Sequence, residues 1–367
     1  SAMHHLLICI AVTVASFCAI VCILSRHGYA VQICAVVYII SLTLTQLLMS
    51  ELSSKPFSYR YPAYVTVLHF LACWFCSVAY WAVQGDLEKC RPRSLGHPRR
   101  FLYEIVPITL TLPIAVACNN VALLYIAAGL NSIISALTPI TTALLSAVLG
   151  RKITRLAWAG LLIALVGAVV ISLGEAHAAL GKGAPLLQGL VFALAAVVFR
   201  SLKTVLQDRV LNAAEYRRGE TKELIGRESI SPMHLWALQA PPMVLVSLVY
   251  ALCTESLPSA VRHISLHNIA LILVTCVSAT ALNILGAMTI HALGASLMQV
   301  IGKLNIFVTV AFSVAFLGEA LPLKVVIGAI IMLLGVVVFE MAEKNAPKRD
   351  DSEIIPGKAQ DAVCLKA

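Results

Sequence analysis

Long apolar runs, each about as long as a membrane-spanning helix, follow one another along most of the chain. A helix that rises 1.5 Å per residue needs roughly 20 apolar residues to cross a bilayer. The runs lie at 30–49, 61–84, 104–126, 129–149, 154–174, 187–207, 233–253, 268–292, 295–317 and 323–341. The pattern therefore predicts an all-α polytopic membrane protein with ten core transmembrane helices.

An eleventh apolar run, 6–25, precedes the core. It is longer than the 7–15 residues of a signal-peptide core and has no Lys or Arg ahead of it. We expect an extra hydrophobic helix or anchor, with a cleaved targeting segment as the alternative. The predicted organisation is an N-terminal hydrophobic segment, a transporter core in two repeats and a cytosolic charged tail, at 1–29, 30–341 (30–174 and 187–341) and 342–367.

Composition agrees with a membrane protein. Of the 367 residues, 60% are hydrophobic and 12% charged, and mean hydropathy is +0.90. A soluble domain carries about 25% charged residues, so a soluble enzyme, a disordered chain and a secreted disulfide scaffold are poor fits. The eleven cysteines lie mostly in apolar runs, and Cys73 and Cys76 are interpreted as packing thiols. No metal-ligand or nucleophile–base spacing is present, so neither an enzyme, a metal nor a cofactor is predicted.

The net charge of +9 reflects topology rather than nucleic-acid binding, because the basic residues lie in short loops between apolar runs. If the ten spans cross the bilayer in turn, Lys and Arg concentrate on one side, in 85–103, 150–155, 208–232 and the tail. The positive-inside rule places this basic side, and the C-terminus, in the cytosol.

An internal repeat appears when 127–171 is laid on 295–339. Gly160 then falls on Gly328, and Gly167 falls on Gly335. Each half holds five helices, and an odd number forces the halves into opposite orientations. The pattern predicts two inverted five-helix repeats, the arrangement of secondary transporters whose substrate site lies between the halves.

Charges inside the bilayer are costly and are functional candidates by default. Lys303 lies about eight residues into the ninth span, with Gln299 one turn before it. The repeat maps these two residues onto Ser135 and Asn131 in the fourth span. Both spans would then direct polar groups to a central cavity. The alternatives are a structural lysine paired with a carbonyl or carboxylate, and a lysine that snorkels to the interface.

Arg200 and Lys203 lie one turn apart in the sixth span. Cations that outnumber membrane carboxylates suggest an anionic ligand, and the planar fork of Arg suits a phosphate. His69 and Asn120 are polar groups in apolar runs, where an interhelical hydrogen bond and a ligand contact are equally reasonable. Pro139 is expected to break the fourth span.

Several segments resemble the triose-phosphate/nucleotide-sugar transporter branch of the drug/metabolite transporter superfamily. The resemblance covers about residues 30–341, and each motif is weak alone but fairly specific in order and spacing. The matching segments are 61–69 (YPAYVTVLH, family YP…LTxxH), 120–125 (NVALLY, NVSLxY), 200–207 (RSLKTVLQ, RxLKxVLQ), 283–305 with QVIGKLN at its end (N…LTxQVLGNxK) and 317–319 (LGE, FGE).

The resemblance implies two inverted five-helix halves and alternating-access exchange of a phosphorylated sugar or nucleotide sugar for phosphate or a nucleotide monophosphate. The chain departs from triose-phosphate carriers at two places. Ser135 stands where they have a lysine, and Lys303 precedes Asn305 with no Lys-Arg pair. Subgroups similar to nucleotide-sugar carriers also lack the lysine at the position of Ser135.

The leading hypothesis is a secondary antiporter of a nucleotide sugar in the Golgi or endoplasmic reticulum, with an anionic substrate and a counter-substrate as its small-molecule partners. Arg200, Lys203 and Lys303 would attract phosphate, while Asn131, Ser135, Gln299 and Asn305 would recognise hydroxyls or base. The alternatives are a sugar-phosphate/phosphate translocator of a plastid envelope, a proton-coupled drug/metabolite exporter and a scaffold that transports nothing. The oligomeric state is open, with a homodimer as one option.

Overall fold

The computed structural model describes residues 30–53, 57–126, 131, 134–151, 153–175, 186–213, 229–303 and 323–344. The predicted N-terminal segment 1–29 and the tail beyond residue 344 lie outside these residues. The described chain is helical and contains no β-strand. The sequence prediction of an all-α protein is confirmed for this part of the chain.

Nine long helices make up the described bundle. They are α1 (Ala30–Ser53), α2 (Pro62–Val83), α3 (Val106–Tyr125), α4 (Thr138–Val148), α5 (Arg155–Glu175), α6 (Leu186–Leu211), α7 (Pro232–Thr254), α8 (Leu266–Lys303) and α9 (Leu323–Lys344). Among the described residues, five helices are long and apolar enough to cross a membrane: Pro62–Val83, Pro98–Ala122, Leu187–Leu211, Pro232–Thr254 and Leu266–Lys303.

Two predicted spans meet inside α8, where Gly294 interrupts the helix. Its backbone has φ 81° and ψ 168°, outside the helical region and readily adopted only by glycine. The first arm, 266–293, covers the predicted eighth span, and the second arm, 295–303, begins the ninth. The proline break in the predicted fourth span is also confirmed. Ala136 and Leu137 form a turn, and α4 begins at Thr138, directly before Pro139.

Glycines let α5 and α9 pack backbone against backbone. A Cβ on Gly160 would lie 2.9 Å from the Gly335 carbonyl oxygen, and a Cβ on Gly167 would lie 2.6 Å from the Gly328 carbonyl oxygen. Real Cβ atoms do not approach so closely, so only glycine permits this crossing. The order of the contacts makes the two helices antiparallel.

The described bundle has two distinct ends. At one end, which we call the basic end, the segment 84–100 contacts the start of α7 through Ser94 Oγ and His234 Nε2, 2.8 Å apart. At the opposite end, Glu255 follows α7 and caps the start of α2. Its Oε1 accepts a hydrogen bond of 2.9 Å from the Ala63 amide, and its Oε2 accepts one of 3.3 Å from the Tyr64 amide.

One boundary of the sequence analysis was wrong. The sixth span was predicted to end at residue 207, but α6 continues to Leu211 and includes Asp208. This carboxylate has no exposed surface and accepts a hydrogen bond of 2.6 Å from Arg151. Arg151, interpreted from the sequence only as a topology signal, therefore joins the α4–α5 turn to the end of α6.

Candidate functional site

One face of α6 carries the two cations predicted in the sixth span. Arg200 and Lys203 are three residues apart and partly buried. Their positive charges are close enough to repel each other. Thr204 continues the same face. It accepts a hydrogen bond of 2.5 Å from Gln299 Nε2 in the second arm of α8. This bond ties the cationic face of α6 to the helix that carries Lys303.

Lys303 completes a cationic cluster. It lies one turn beyond Gln299 and is partly buried, and it lies within electrostatic range of Arg200. The structure thus brings together four of the residues predicted from the sequence: Arg200, Lys203, Gln299 and Lys303. We refer to Arg200, Lys203 and Lys303 as the cation cluster.

Tyr38 of α1 lies beside the cation cluster and was missed by the sequence analysis. Its side chain is buried, and it lies within electrostatic range of Arg200. Gly286 lies against its ring and Gly302 lies near its hydroxyl. A Cβ on Gly286 would lie 3.3 Å from the Tyr38 ring, and a Cβ on Gly302 would lie 3.4 Å from the hydroxyl oxygen. The two glycines thus flank the tyrosine at its ring and at its hydroxyl.

Cys73 of α2 borders the cluster from another side. It is buried and lies within electrostatic range of Lys203. Its sulfur accepts a hydrogen bond of 3.4 Å from the Asn283 side chain of α8. Cys73 and Cys76 are both free thiols; Cys73 is buried, as the packing interpretation predicts, whereas Cys76 is exposed.

No carboxylate of the described chain forms a salt bridge with the cation cluster. The buried Asp208, two turns along α6 from Arg200, is paired with Arg151 instead. On an insertion scale each central cation costs about 3 kcal/mol, so three cost about 9 kcal/mol. This is comparable to the whole stability of a typical domain, about 5–15 kcal/mol. Water, an anion or polar protein groups beside the cluster would offset this cost.

Two hydrogen bonds connect the backbone at Ser135 to the part of α6 that carries Arg200. Its carbonyl accepts a hydrogen bond of 2.6 Å from the Thr138 hydroxyl, and the Thr138 carbonyl accepts one of 3.2 Å from Ser201, which directly follows Arg200. Asn131 and Ser135 both have helical backbone, and the turn at 136–137 separates Ser135 from α4. The amide of Asn131 donates to Asn119 Oδ1 over 3.1 Å.

Two further predicted residues have protein partners in the structure. His69 is buried, and its Nε2 lies 3.1 Å from the Thr275 hydroxyl oxygen. That hydroxyl donates to the Ile272 carbonyl, so its oxygen accepts the hydrogen bond from His69. Asn120 is exposed near the C-terminal end of α3 and donates to the Tyr250 hydroxyl over 3.1 Å.

Asn120 lines a separate cleft of about 300 Å³ between α2, α3 and α7 at the opposite end. Asn305 lies outside the described residues. Among the described residues, no group of three or more His, Cys, Asp or Glu side chains could hold a metal ion.

The residues missed by sequence analysis gave weak signals. Tyr38 is an aromatic residue in an apolar run, and Cys73 is one of many cysteines in such runs. Neither stands out until folding places it beside a cation. Asp208 offered the better signal, because it lies four residues beyond Thr204 on the face that carries Arg200.

Comparison with known proteins matches the chain to two transporter families. Residues 30–254 match the Triose-phosphate Transporter family, and residues 222–341 match the EamA-like transporter family. A "Probable sugar phosphate/phosphate translocator" of Arabidopsis thaliana is 24% identical over 305 residues, which cover 82% of this chain and 91% of that protein. "UDP-uronic acid transporter 1" of Arabidopsis thaliana is 25% identical over 301 residues, covering 80% of this chain and 89% of that protein.

A solved crystal structure shares the fold. It superposes with a TM-score of 0.65 at 15% sequence identity, covering 86% of this chain and 98% of that chain. The apolar helices and the family match together identify an integral membrane protein of a transporter family. The family match spans more than half of the sequence, and the chain belongs to the Triose-phosphate Transporter family.

Proposed function

We propose that this protein is a secondary antiporter that exchanges a nucleotide sugar for a nucleotide monophosphate by alternating access. The observation that carries the proposal is the cation cluster of Arg200, Lys203 and Lys303. Its members approach from two helices and form no salt bridge with a described carboxylate. A phosphate or diphosphate neutralises such a cluster, whereas a neutral or cationic solute does not.

The surrounding groups suit the uncharged part of such a substrate. Tyr38, Thr204 and Gln299 present hydroxyl and amide groups that can recognise ribose, sugar or base. Ser135 stands where triose-phosphate carriers have a lysine, which removes one positive charge from the phosphate site. This departure supports a nucleotide sugar over a small triose phosphate.

The helix packing supports the ten-helix inverted-repeat architecture, which remains part of the proposal. The repeat exchanges α1 with α6, α2 with α7, α3 with the first arm of α8, and α5 with α9. The most extensive contacts are α5–α9, α3–α6, α1–α8 and α2–α7. Exchange of the halves maps α5–α9 and α2–α7 onto themselves and converts α1–α8 into α3–α6. The same operation converts the Gly160–Gly335 contact into the Gly167–Gly328 contact.

The names of relatives support a second candidate, a sugar-phosphate/phosphate translocator. We propose a Golgi or endoplasmic-reticulum membrane for the nucleotide-sugar antiporter, with the C-terminus in the cytosol. A plastid envelope accompanies the second candidate. The Gly contacts place the end of α9 at the basic end, which supports a cytosolic C-terminus under the positive-inside rule.

Counterflow in proteoliposomes tests the proposal. The full chain is reconstituted, preloaded with a nucleotide monophosphate, inorganic phosphate or buffer, and offered labelled nucleotide sugars and triose phosphates. We expect uptake only with a nucleotide inside, and we expect Lys303→Gln and Arg200→Gln to lower it at least tenfold. Arg155→Gln, which removes an exposed arginine at the start of α5, is the matched control and should transport normally.

Each other result has a definite meaning. Uptake only against inorganic phosphate would replace the nucleotide-sugar assignment with the sugar-phosphate one. Uptake of neutral solutes driven by a pH gradient would favour the proton-coupled exporter. Normal exchange by folded Lys303→Gln would overturn the role assigned to the cation cluster.

A further inference from the structure

The segment 84–100 at the basic end carries a group of arginines that the proposed transport function does not use. Arg91, Arg93 and Arg99 are exposed, and none forms a salt bridge with a described carboxylate. Of the nearby acids, Asp86 pairs with Lys89 at 3.1 Å and Glu104 pairs with Arg100 at 2.8 Å. Glu88 is exposed. Basic residues still outnumber acidic residues in the segment, which therefore carries a clear excess of positive charge.

This segment is folded against the bundle and is not a free loop. Two short 3-10 helices, Leu87–Cys90 and Pro92–Leu95, span its middle. Leu95 is buried in the same apolar cluster as Trp236 at the start of α7. In the first of these helices, Lys89 Nζ lies 4.3 Å from the centroid of the Trp81 ring. The backbone therefore presents Arg91 and Arg93 from a fixed platform, which lowers the ordering cost of binding.

Exposed apolar and tyrosine side chains next to the platform indicate how deep it lies in the membrane. Val83 is 87% exposed at the end of α2, and Tyr103 is 74% exposed near the start of α3. Apolar and tyrosine side chains at the ends of membrane helices lie in the acyl and interfacial layers. The arginines between these two helix ends are therefore level with lipid headgroups.

We propose that the arginine platform of Arg91, Arg93 and Arg99 binds the headgroups of anionic membrane lipids in the leaflet at the basic end. The ligand chemistry is a phosphodiester with net negative charge, held at the bilayer surface. Guanidinium groups bind it through their paired N–H donors, and the low dielectric at the interface strengthens the attraction. This inference is independent of the substrate that the cation cluster binds.

Lipid binding by matched variants tests the proposal. The full chain in phosphatidylcholine–detergent micelles is titrated with phosphatidylserine, and bound phosphatidylserine is counted by native mass spectrometry. Arg91→Gln/Arg93→Gln is compared with Arg60→Gln/Arg262→Gln, which removes two exposed arginines at the opposite end. At about fivefold per arginine, we expect roughly 25-fold weaker binding for the first variant and little change for the second.

Three additional measurements sharpen the result. Arg91→Lys/Arg93→Lys should retain most of the binding, because the positive charge remains. Millimolar inorganic phosphate should not displace phosphatidylserine, since a free anion lacks the membrane anchor. Substrate exchange in pure phosphatidylcholine vesicles should be unchanged in Arg91→Gln/Arg93→Gln, which separates this proposal from the transport proposal.

Equal losses in the two glutamine variants would show a general charge effect and overturn the proposal. Unchanged phosphatidylserine binding by Arg91→Gln/Arg93→Gln would also overturn it. Displacement by inorganic phosphate would assign the arginines to a free anion, and binding of an acidic protein in place of lipid would assign them to a protein partner.

Discussion

The Arg151 guanidinium and the Asp208 carboxylate form a salt bridge of 2.6 Å that links the turn between α4 and α5 to the end of α6. The second carboxylate oxygen accepts a hydrogen bond of 2.8 Å from Asn212, which also donates to the Ile290 carbonyl over 3.0 Å. The Arg151 guanidinium also lies over Gly294, where a side chain would collide with it. One carboxylate thus connects three segments at the basic end.

Asp208→Asn is expected to destabilise the protein substantially, because it removes the negative charge that pairs with Arg151. Breaking a buried pair costs about 3–5 kcal/mol. The Arg151 side chain is 11% exposed, so we expect the lower part of that range. The measurement is the thermal unfolding temperature of the purified full chain in detergent.

Asp86→Asn is the matched control for this prediction. Asp86 pairs with Lys89, and the two side chains are 43% and 42% exposed. Such a pair contributes about 0–1 kcal/mol, so the unfolding temperature should barely move. Arg151→Gln/Asp208→Asn should recover part of the loss. Equal effects of the two single aspartate substitutions would contradict a structural role for the buried pair.

The sequence was sufficient to predict most helices but few of their partners. Apolar runs determine where a helix can cross a bilayer, and Pro139 indicated the break before α4. Contacts between segments that are distant in the sequence are harder to predict. The turn between helices had to bring Arg151 to Asp208, and α1 had to pack beside α8 before Tyr38 could meet Arg200. No local pattern encodes these encounters.

The same limit explains which candidate residues stand out in the sequence. A charge in an apolar run is conspicuous, so the cations Arg200 and Lys303 could be identified from the sequence. A polar neutral residue is ambiguous, because interhelical hydrogen bonds and ligand contacts use the same groups. His69 and Asn120 both have protein partners in the structure, Thr275 and Tyr250.

Tyr38→Phe is expected to raise the KM for the phosphorylated substrate about tenfold with little loss of stability. The substitution keeps the ring between Gly286 and Gly302 and removes only the hydroxyl beside the cation cluster. A hydrogen bond to a charged group contributes about 1.5–3 kcal/mol, which corresponds to tenfold or more in affinity. Counterflow at a series of substrate concentrations measures the change. An unchanged KM would show that the hydroxyl does not contact substrate.

Gly335→Ala is expected to destabilise the α5–α9 interface. The added Cβ would overlap the Ala164 amide nitrogen and would lie 2.7 Å from the Gly160 carbonyl oxygen, and backbone atoms cannot move aside cheaply. Overpacking of this kind costs about 1–3 kcal/mol. Gly302→Ala is the control for stability, since its Cβ would meet Tyr38 at 3.4 Å, an ordinary contact distance. A lower unfolding temperature for Gly335→Ala alone supports the close crossing, and equal temperatures contradict it.

Two cysteines at opposite ends of the bundle report the membrane orientation. Cys90 lies in the basic-end segment 84–100, and Cys253 is exposed in the last turn of α7. In sealed vesicles carrying variants with only one of the two, a membrane-impermeant iodoacetamide derivative should label Cys90 from the cytosolic side and Cys253 from the other side. Labelling of both from one side would contradict the crossing of α7, and a reversed pattern would contradict the cytosolic C-terminus.

The pH dependence of Cys90 labelling provides a second readout in the same experiment. Burial raises the pKa of the Cys90 thiol, and nearby Asp86 raises it further. Only the thiolate reacts, so a raised pKa lowers the reactive fraction at neutral pH. The midpoint of the labelling rate should therefore lie above about pH 8.5, the pH at which an ordinary thiol is half ionised. In Asp86→Asn the curve should shift to lower pH, because the negative charge that opposes ionisation is gone. A midpoint at or below about pH 8.5 would show that the packing of segment 84–100 does not raise the pKa of this thiol.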